Sequence, residues 1–147
     1  MNEKILVSGC LAGIPCRYDG KAQPNEEAVK KVRRGEAIIC CPETMGGLPT
    51  PRIPAEIIGG DGNAVLDGRA KVVTAEGRDV TDEYIKGARK ALKIAQENGI
   101  HKAILKAKSP SCGCGIIYDG SFTGRKKAGD GVTAALFKRS GIQVESL

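Results

Sequence analysis

Short apolar runs that lead into a cysteine recur along this chain. They are Ile5-Leu-Val-Ser-Gly-Cys10, Ala37-Ile-Ile-Cys-Cys41 and Ala103-Ile-Leu105, the last continuing into Lys106-Ala-Lys-Ser-Pro-Ser-Cys112. None alternates with polar residues, which suits strands buried on both faces of a parallel sheet. Pro110 stops the third run, because it has no N–H to donate and disfavours helical geometry at Ser109. Helical spacing marks the segments between. Asn25 is a good N-cap for a helix over 26–34, with Glu26 and Glu27 in its first turn, Val29 and Val32 on its apolar face and Gly35 closing it. Thr81 and Asp82 open the strongest helix, 82–98, whose Ile85, Ala88, Leu92 and Ala95 share a face and which Gly99 ends. A last helix over 131–140 stops at Gly141, and 142–145 gives a final strand. Residues 56–58 predict a short edge strand, and 70–74 a strand or hairpin with 64–67. The alternation of strands and helices predicts an α/β fold: a single domain over 1–147, mainly parallel sheet with flanking helices, Rossmann-like and doubly wound.

Two stretches fit neither period. Residues 42–54 carry four prolines and two glycines, so they read as neither helix nor central strand. A loop this long in a small domain, starting at a strand-end cysteine, points to function and to a pocket wall. Gly59-Gly-Asp-Gly62 reads as a tight turn without the strand-to-helix context of a phosphate loop.

Composition narrows the compartment and the partners. With 2 Phe, 3 Tyr and no Trp in 147 residues, the core must be mostly Ile, Leu, Val and Ala. No apolar run approaches the roughly 20 residues of a membrane helix. The N-terminus runs straight into a strand pattern, so a cytoplasmic location is expected. In a reducing compartment 6 cysteines suit metal binding or catalysis better than a disulfide framework. The formal net charge is +6, densest at Lys30-Lys-Val-Arg-Arg34 and Arg125-Lys-Lys127. Such runs read first as solvated surface. A nucleic-acid footprint would interleave aromatic residues with the charges, and those are scarce here. The charge permits an anionic partner without requiring one.

Ligands of open parallel sheets bind beyond the carboxyl ends of the strands. Three strands that each present a cysteine at that edge can bring Cys10, Cys41 and Cys112 together. Zinc fits poorly, because the spacings Cys10-x5-Cys16, Cys40-Cys41 and Cys112-x-Cys114 are not those of paired zinc ligands, and the single histidine, His101, sits at a helix-to-strand turn. An iron–sulfur cluster tolerates ligands gathered from distant segments. Held by three cysteines, a four-iron cluster keeps one iron open as a Lewis acid, and a sulfur-containing substrate is the natural ligand for it. Cys40 points to the opposite face from Cys41 on the same strand and belongs to the core. Cys114 reads as a spare ligand or a small loop residue. Cys16, in a Pro-Cys-Arg context, reads as an activated thiol or as packing. Glu43, near Cys41, is a candidate general base. Ser109 and Ser111 offer hydroxyls, and Gly129-Asp-Gly131 heads a helix whose N–H groups suit a carbonyl or acidic oxygen, with Asp130 as substrate contact or N-cap.

The segments VSGCLAGIPCRYDG, CPETMGGLPTPRIPAEIIGGDG, KSPSCGCGIIYDG and GDGVTAAL together resemble a bacterial family that includes thiouracil desulfidases. The resemblance runs over essentially the whole chain. It implies a [4Fe-4S] cluster on Cys10, Cys41 and Cys112, a thiouracil-like thiolated pyrimidine bound through its sulfur to the free iron, and non-redox desulfuration with release of sulfide. Glu43 and Ser109 match the family's acidic and hydroxyl helpers, with Ser111 and Asp130 as substrate-binding candidates. Two other functions compete with this expectation. One is a non-catalytic metal or redox-sensing module with four cysteine ligands, Cys114 included. The other is desulfuration of thiolated bases within transfer RNA.

Overall fold

The apolar runs become neighbouring strands of one parallel sheet. The computed structural model describes residues 4–14, 18–22 and 24–146. In chain order the elements are β1 (Ile5–Ser8), a 3-10 turn (Gly9–Ala12), α1 (Glu26–Arg33), β2 (Ala37–Cys40), α2 (Pro42–Met45), β3 (Ala55–Ile58) and α3 (Gly62–Leu66). There follow β4 (Lys71–Thr74), α4 (Thr81–Glu97), β5 (Lys102–Leu105), β6 (Ile116–Tyr118), β7 (Lys126–Ala128), α5 (Val132–Arg139) and β8 (Gln143–Ser146). The main sheet has the order β2-β1-β5-β8, all parallel, with Leu6 beside Ile38 and Val7 beside Ile104.

Alternation along the strands sends side chains to opposite layers. Leu6, Ala103 and Leu105 pack with Ala91 and Ala95 of α4 and Phe137 of α5. Ile5, Val7 and Ile104 meet Ala28 of α1 on the other face. The chain builds outward from β1 in both directions, first to β2 and then to β5, so the sheet has a topological switch beside β1. That is where a crevice is expected at the carboxyl edge. Among the described residues no helix is long and apolar enough to cross a membrane.

One backbone contact seats the site. A Cβ on Gly87 of α4 would lie 1.9 Å from Pro42 O, and one on Gly46 would lie 2.0 Å from Glu83 O. Bare glycine on each side lets α2 rest directly on α4, fixing the Cys41–Glu43 corner on the buried face of a long helix.

The structure corrects several expectations. Residues 42–54 are not wholly irregular, because Pro42 sits at the start of α2, where its missing N–H is no loss. Residues 64–67 are not a strand: Asp61 accepts the Ala64 N–H at 3.0 Å and caps α3, so the Gly59–Gly62 stretch does join strand to helix. The partner of β4 is β3, antiparallel, with Ala55 beside Thr74. β2 is an edge strand with Ile39 exposed, not a strand buried on both sides. The β6–β7 pair was invisible in the sequence, since its strands are three residues long, largely exposed and partly cationic.

Candidate active site

The stretch between β5 and β6 is held by helix α5, and this placement decides what the loop can do. The first N–H groups of a helix have no partner inside it. Here Gly131 N–H donates to Gly113 O (2.7 Å), Val132 N–H to Pro110 O (2.7 Å), and Thr133 and Ala134 N–H to Ser111 O (2.8 and 3.2 Å). The loop therefore consumes the helix end that the sequence offered to a ligand. Contact is close enough that a Cβ on Gly131 would fall 2.4 Å from Ser111 O.

The hydroxyl of Ser109 organises the same turn. It accepts the N–H of Ser111 (2.9 Å) and of Cys112 (2.8 Å) and donates to Glu43 Oε1 (3.1 Å). A serine hydroxyl has one proton and two lone pairs, so all three are committed. Ser109 thus ties the cysteine loop to the carboxylate.

Glu43 is braced from its other oxygen. Its Oε2 accepts from Arg52 Nε at 2.9 Å and also from Arg52 Nη2. The two side chains are 13 % and 7 % exposed, a nearly dry ion pair. Burial alone would lower the Arg52 pKa, but the charge of Glu43 and its hydrogen bond hold it above the ordinary value. Arg52 is itself fixed through Nη1 to Pro49 O and Thr50 Oγ1. Burial first, and then the charge of Glu43, raise the Tyr84 phenol well above its ordinary pKa, so it stays a neutral donor beside the carboxylate.

These groups face one cavity of about 620 Å³ at the carboxyl edge of β2, β1 and β5. Its walls include Cys10, Cys41, Cys112, Glu43, Arg52 and Ser109. Each cysteine follows a strand end: Cys10 lies in the 3-10 turn after β1, Cys41 N-caps α2 after β2, and Cys112 lies in the loop after β5. Burial, then the charge of Glu43, push the Cys112 thiol well above the usual thiol range, against its hydrogen bonds with Ser8 and Ser111. A buried thiol facing a carboxylate calls for a positive centre to become a thiolate. Among the described residues no three His, Cys, Asp or Glu side chains converge on a point that would hold a single metal ion. Three sulfurs around a roomy cavity suit a multi-iron cluster, whose corners are separate atoms, better than one zinc ion.

Other expected site residues lie elsewhere. Ser111 is buried and shares a 2.7 Å hydrogen bond with Thr133, outside the cavity wall. Asp130 Oδ1 accepts the Gly115 N–H at 2.7 Å and pairs with Lys138 at 3.1 Å, so it pins the loop from behind rather than facing a ligand. Neither is among the residues that line the cavity, and both brace the Cys112 turn. Cys114 also faces away: its N–H donates to Ser146 Oγ at 3.0 Å, its sulfur lies 3.7 Å from Val144 O, and it is not part of the wall. Cys40 follows the alternation rule, its sulfur lying 3.3 Å from Met45 Sδ in the core. His101 is an exposed turn residue. Cys16 lies outside the described residues.

Among the wall residues that the sequence did not single out, four hold hydrogen bonds around the cavity. Arg52 is hidden among prolines, Tyr84 reads as helix core, and Ser8 looks like the end of a strand. Ser8 Oγ accepts the Lys106 N–H at 2.9 Å, joining the ends of β1 and β5 beneath the cavity. Glu56 on β3 is the fourth. Its only sequence signal is a carboxylate inside an apolar strand run.

Comparison with known proteins follows the same lines. A sequence model of the family described as 2-thiouracil desulfurase matches residues 5–146. The chain is 54% identical over 142 residues to uncharacterized protein YbbK of Bacillus subtilis (strain 168), covering 97% of this chain and 94% of the relative. It is also similar to a solved structure described as the [4Fe-4S]-dependent thiouracil desulfidase TudS, with a TM-score of 0.86 and 47% identity, covering 98% of this chain and 90% of that one.

Proposed function

This chain belongs to the 2-thiouracil desulfurase family, and from that premise we propose that it removes the sulfur of a small thiolated pyrimidine by hydrolysis. Thiouracil and water give uracil and hydrogen sulfide, with no net redox change. The observation that carries this reading is a cavity whose wall includes three strand-end cysteines and a carboxylate braced by arginine.

Cys10, Cys41 and Cys112 are the residues that would hold a [4Fe-4S] cluster, the cofactor in the description of the similar solved structure. When bound, the cluster supplies an iron without a fourth protein ligand, a Lewis acid with affinity for a soft thiocarbonyl sulfur. The remaining work falls to this chain's own side chains. Glu43 stands on the cavity wall with the Ser109 hydroxyl on its Oε1 and the Tyr84 phenol also bonded to the carboxylate, and it is the base placed to take a proton from water. Arg52 holds Oε2 at two nitrogens and fixes the plane of the carboxylate. Ser109 couples the position of that carboxylate to the Cys112 turn, and is a positioning residue rather than a substrate donor. The 42–54 segment closes one side of the cavity through Glu43, Arg52, Ile53 and Pro54, which keeps bulk water from the carboxylate.

The reading is tested on protein purified without oxygen and supplied with 2-thiouracil. Uracil and sulfide are expected in equal amounts, and neither product would reject it. The Cys114→Ser variant separates this reading from a four-cysteine module. Because Cys114 faces Val144 and Lys138, iron content and sulfide release are expected within about twofold of the wild type, as for a substitution away from the functional machinery. Loss of most of the iron in that variant would instead favour the four-ligand module.

A further inference from the structure

Among the described residues, Lys108 and Phe122 are the non-glycine residues with left-handed backbone, at φ 70° and 58°, and both line this cavity. Such conformations are unfavourable for residues with a Cβ and persist where surrounding structure imposes them, most often at functional sites. Phe122 is the more telling of the two. It is one of 2 phenylalanines in the chain. The other, Phe137, is fully buried in the core, whereas Phe122 is 36% exposed. Its ring therefore adds little to the folded core, and its backbone is held against preference.

What holds it is Glu56. This carboxylate is 9% exposed and makes no ion pair among the described residues. Its Oε1 instead accepts the N–H of Gly120 (2.9 Å) and of Phe122 (3.3 Å). Two amides that share one oxygen curl the 120–122 backbone. Gly120 supplies the first left-handed step, at φ 93°, where a Cβ would come 2.7 Å from Ile57 O. On the outer side, Ser121 N–H donates to Asp119 Oδ1 at 2.9 Å and closes the turn. A buried acid thus serves to station one aromatic ring at the rim of the cavity that holds Glu43.

We propose that Phe122 is a specificity-determining residue that stacks on the ring of the substrate, with Glu56 as its positioning residue. The proposal rests on the desulfidase reading for the nature of the ring. Aromatic faces bind planar heterocycles of any base type by stacking. Selection in this cavity would then favour a cyclic thioamide over an open-chain one, through contacts remote from the sulfur.

Uracil is a suitable probe, because it has the ring but no sulfur to lose. Binding is measured by equilibrium dialysis on protein purified without oxygen with its cofactor in place, for wild type, Phe122→Ala, Phe122→Tyr, Glu56→Ala and Glu56→Gln. Phe122→Ala is expected to weaken uracil binding by about tenfold, the order contributed by one stacked base, and Phe122→Tyr to stay within about twofold of the wild type. Glu56→Ala should approach Phe122→Ala, while Glu56→Gln, whose amide oxygen still accepts both N–H groups, should not. Unchanged binding in Phe122→Ala overturns the proposal. So does a wild-type protein that binds uracil no better than acetamide. Sulfide release from 2-thiouracil is scored separately. Its absence alongside Phe122-dependent uracil binding defeats only the desulfidase reading, and normal release with Phe122-independent binding defeats only this proposal.

Discussion

Replacing Glu43 with glutamine is expected to lower sulfide release from 2-thiouracil by about 10²- to 10⁴-fold, the usual contribution of a positioned general base. Iron content should remain that of the wild type. The substitution changes charge but hardly shape. Glutamine has the shape of glutamate, and its amide oxygen can keep the Ser109 hydroxyl bond that steadies the Cys112 turn. What disappears is the basic oxygen and the charge opposite Arg52. That arginine is only 7 % exposed, and a buried cation left beside a neutral partner destabilises, so a lower melting temperature should accompany the loss of rate. Turnover within tenfold of the wild type would remove Glu43 from the role of base.

The second large effect concerns stability rather than chemistry. Gly131→Ala is expected to cost about 3 kcal/mol and to lower the melting temperature by about 10 °C. Its φ of −70° is open to any residue, so backbone strain is not the cause. The added methyl would sit 2.4 Å from Ser111 O and 2.8 Å from Pro110 O. To make room, the Cys112 loop must lift away from α5 and stretch the four N–H bonds it receives from residues 131–134. Thermal unfolding followed by circular dichroism measures the shift. A Gly131→Ala protein as stable as the wild type would mean that the loop yields freely, contrary to its role as a rigid mount for Cys112.

Much of this site was legible because parallel strands announce themselves as unbroken apolar runs, and α/β sheets place function at one edge. That reasoning located Cys10, Cys41 and Cys112 on one cavity wall, and Glu43 with them by nearness to Cys41. It also separated Cys40 from Cys41 by the two-residue alternation of a strand. Where it stopped, the reason is physical. A hydroxyl or carboxylate next to a cysteine does not reveal whether its hydrogen bonds are already spent. Ser111 turned out to bond Thr133, and Asp130 to bond Gly115 and Lys138. The helix start at 131 looked free for a ligand until the loop carbonyls were seen to fill it. Arg52 and Tyr84 come from segments whose local patterns speak of proline-rich loop and helix core, and only the tertiary fold brings them to Glu43. β2 misled in a different way, since an apolar edge strand reads the same as a central one.

The central claim is that three strand-end cysteines form the cofactor site. The most direct measurement is iron and acid-labile sulfide per chain, on protein purified without oxygen, for wild type and for Cys10→Ala, Cys41→Ala and Cys112→Ala. About four irons and four sulfides in the wild type, lost in each variant, is the predicted result. Zinc alone in the wild type, or iron that survives removal of any one of the three cysteines, would contradict it.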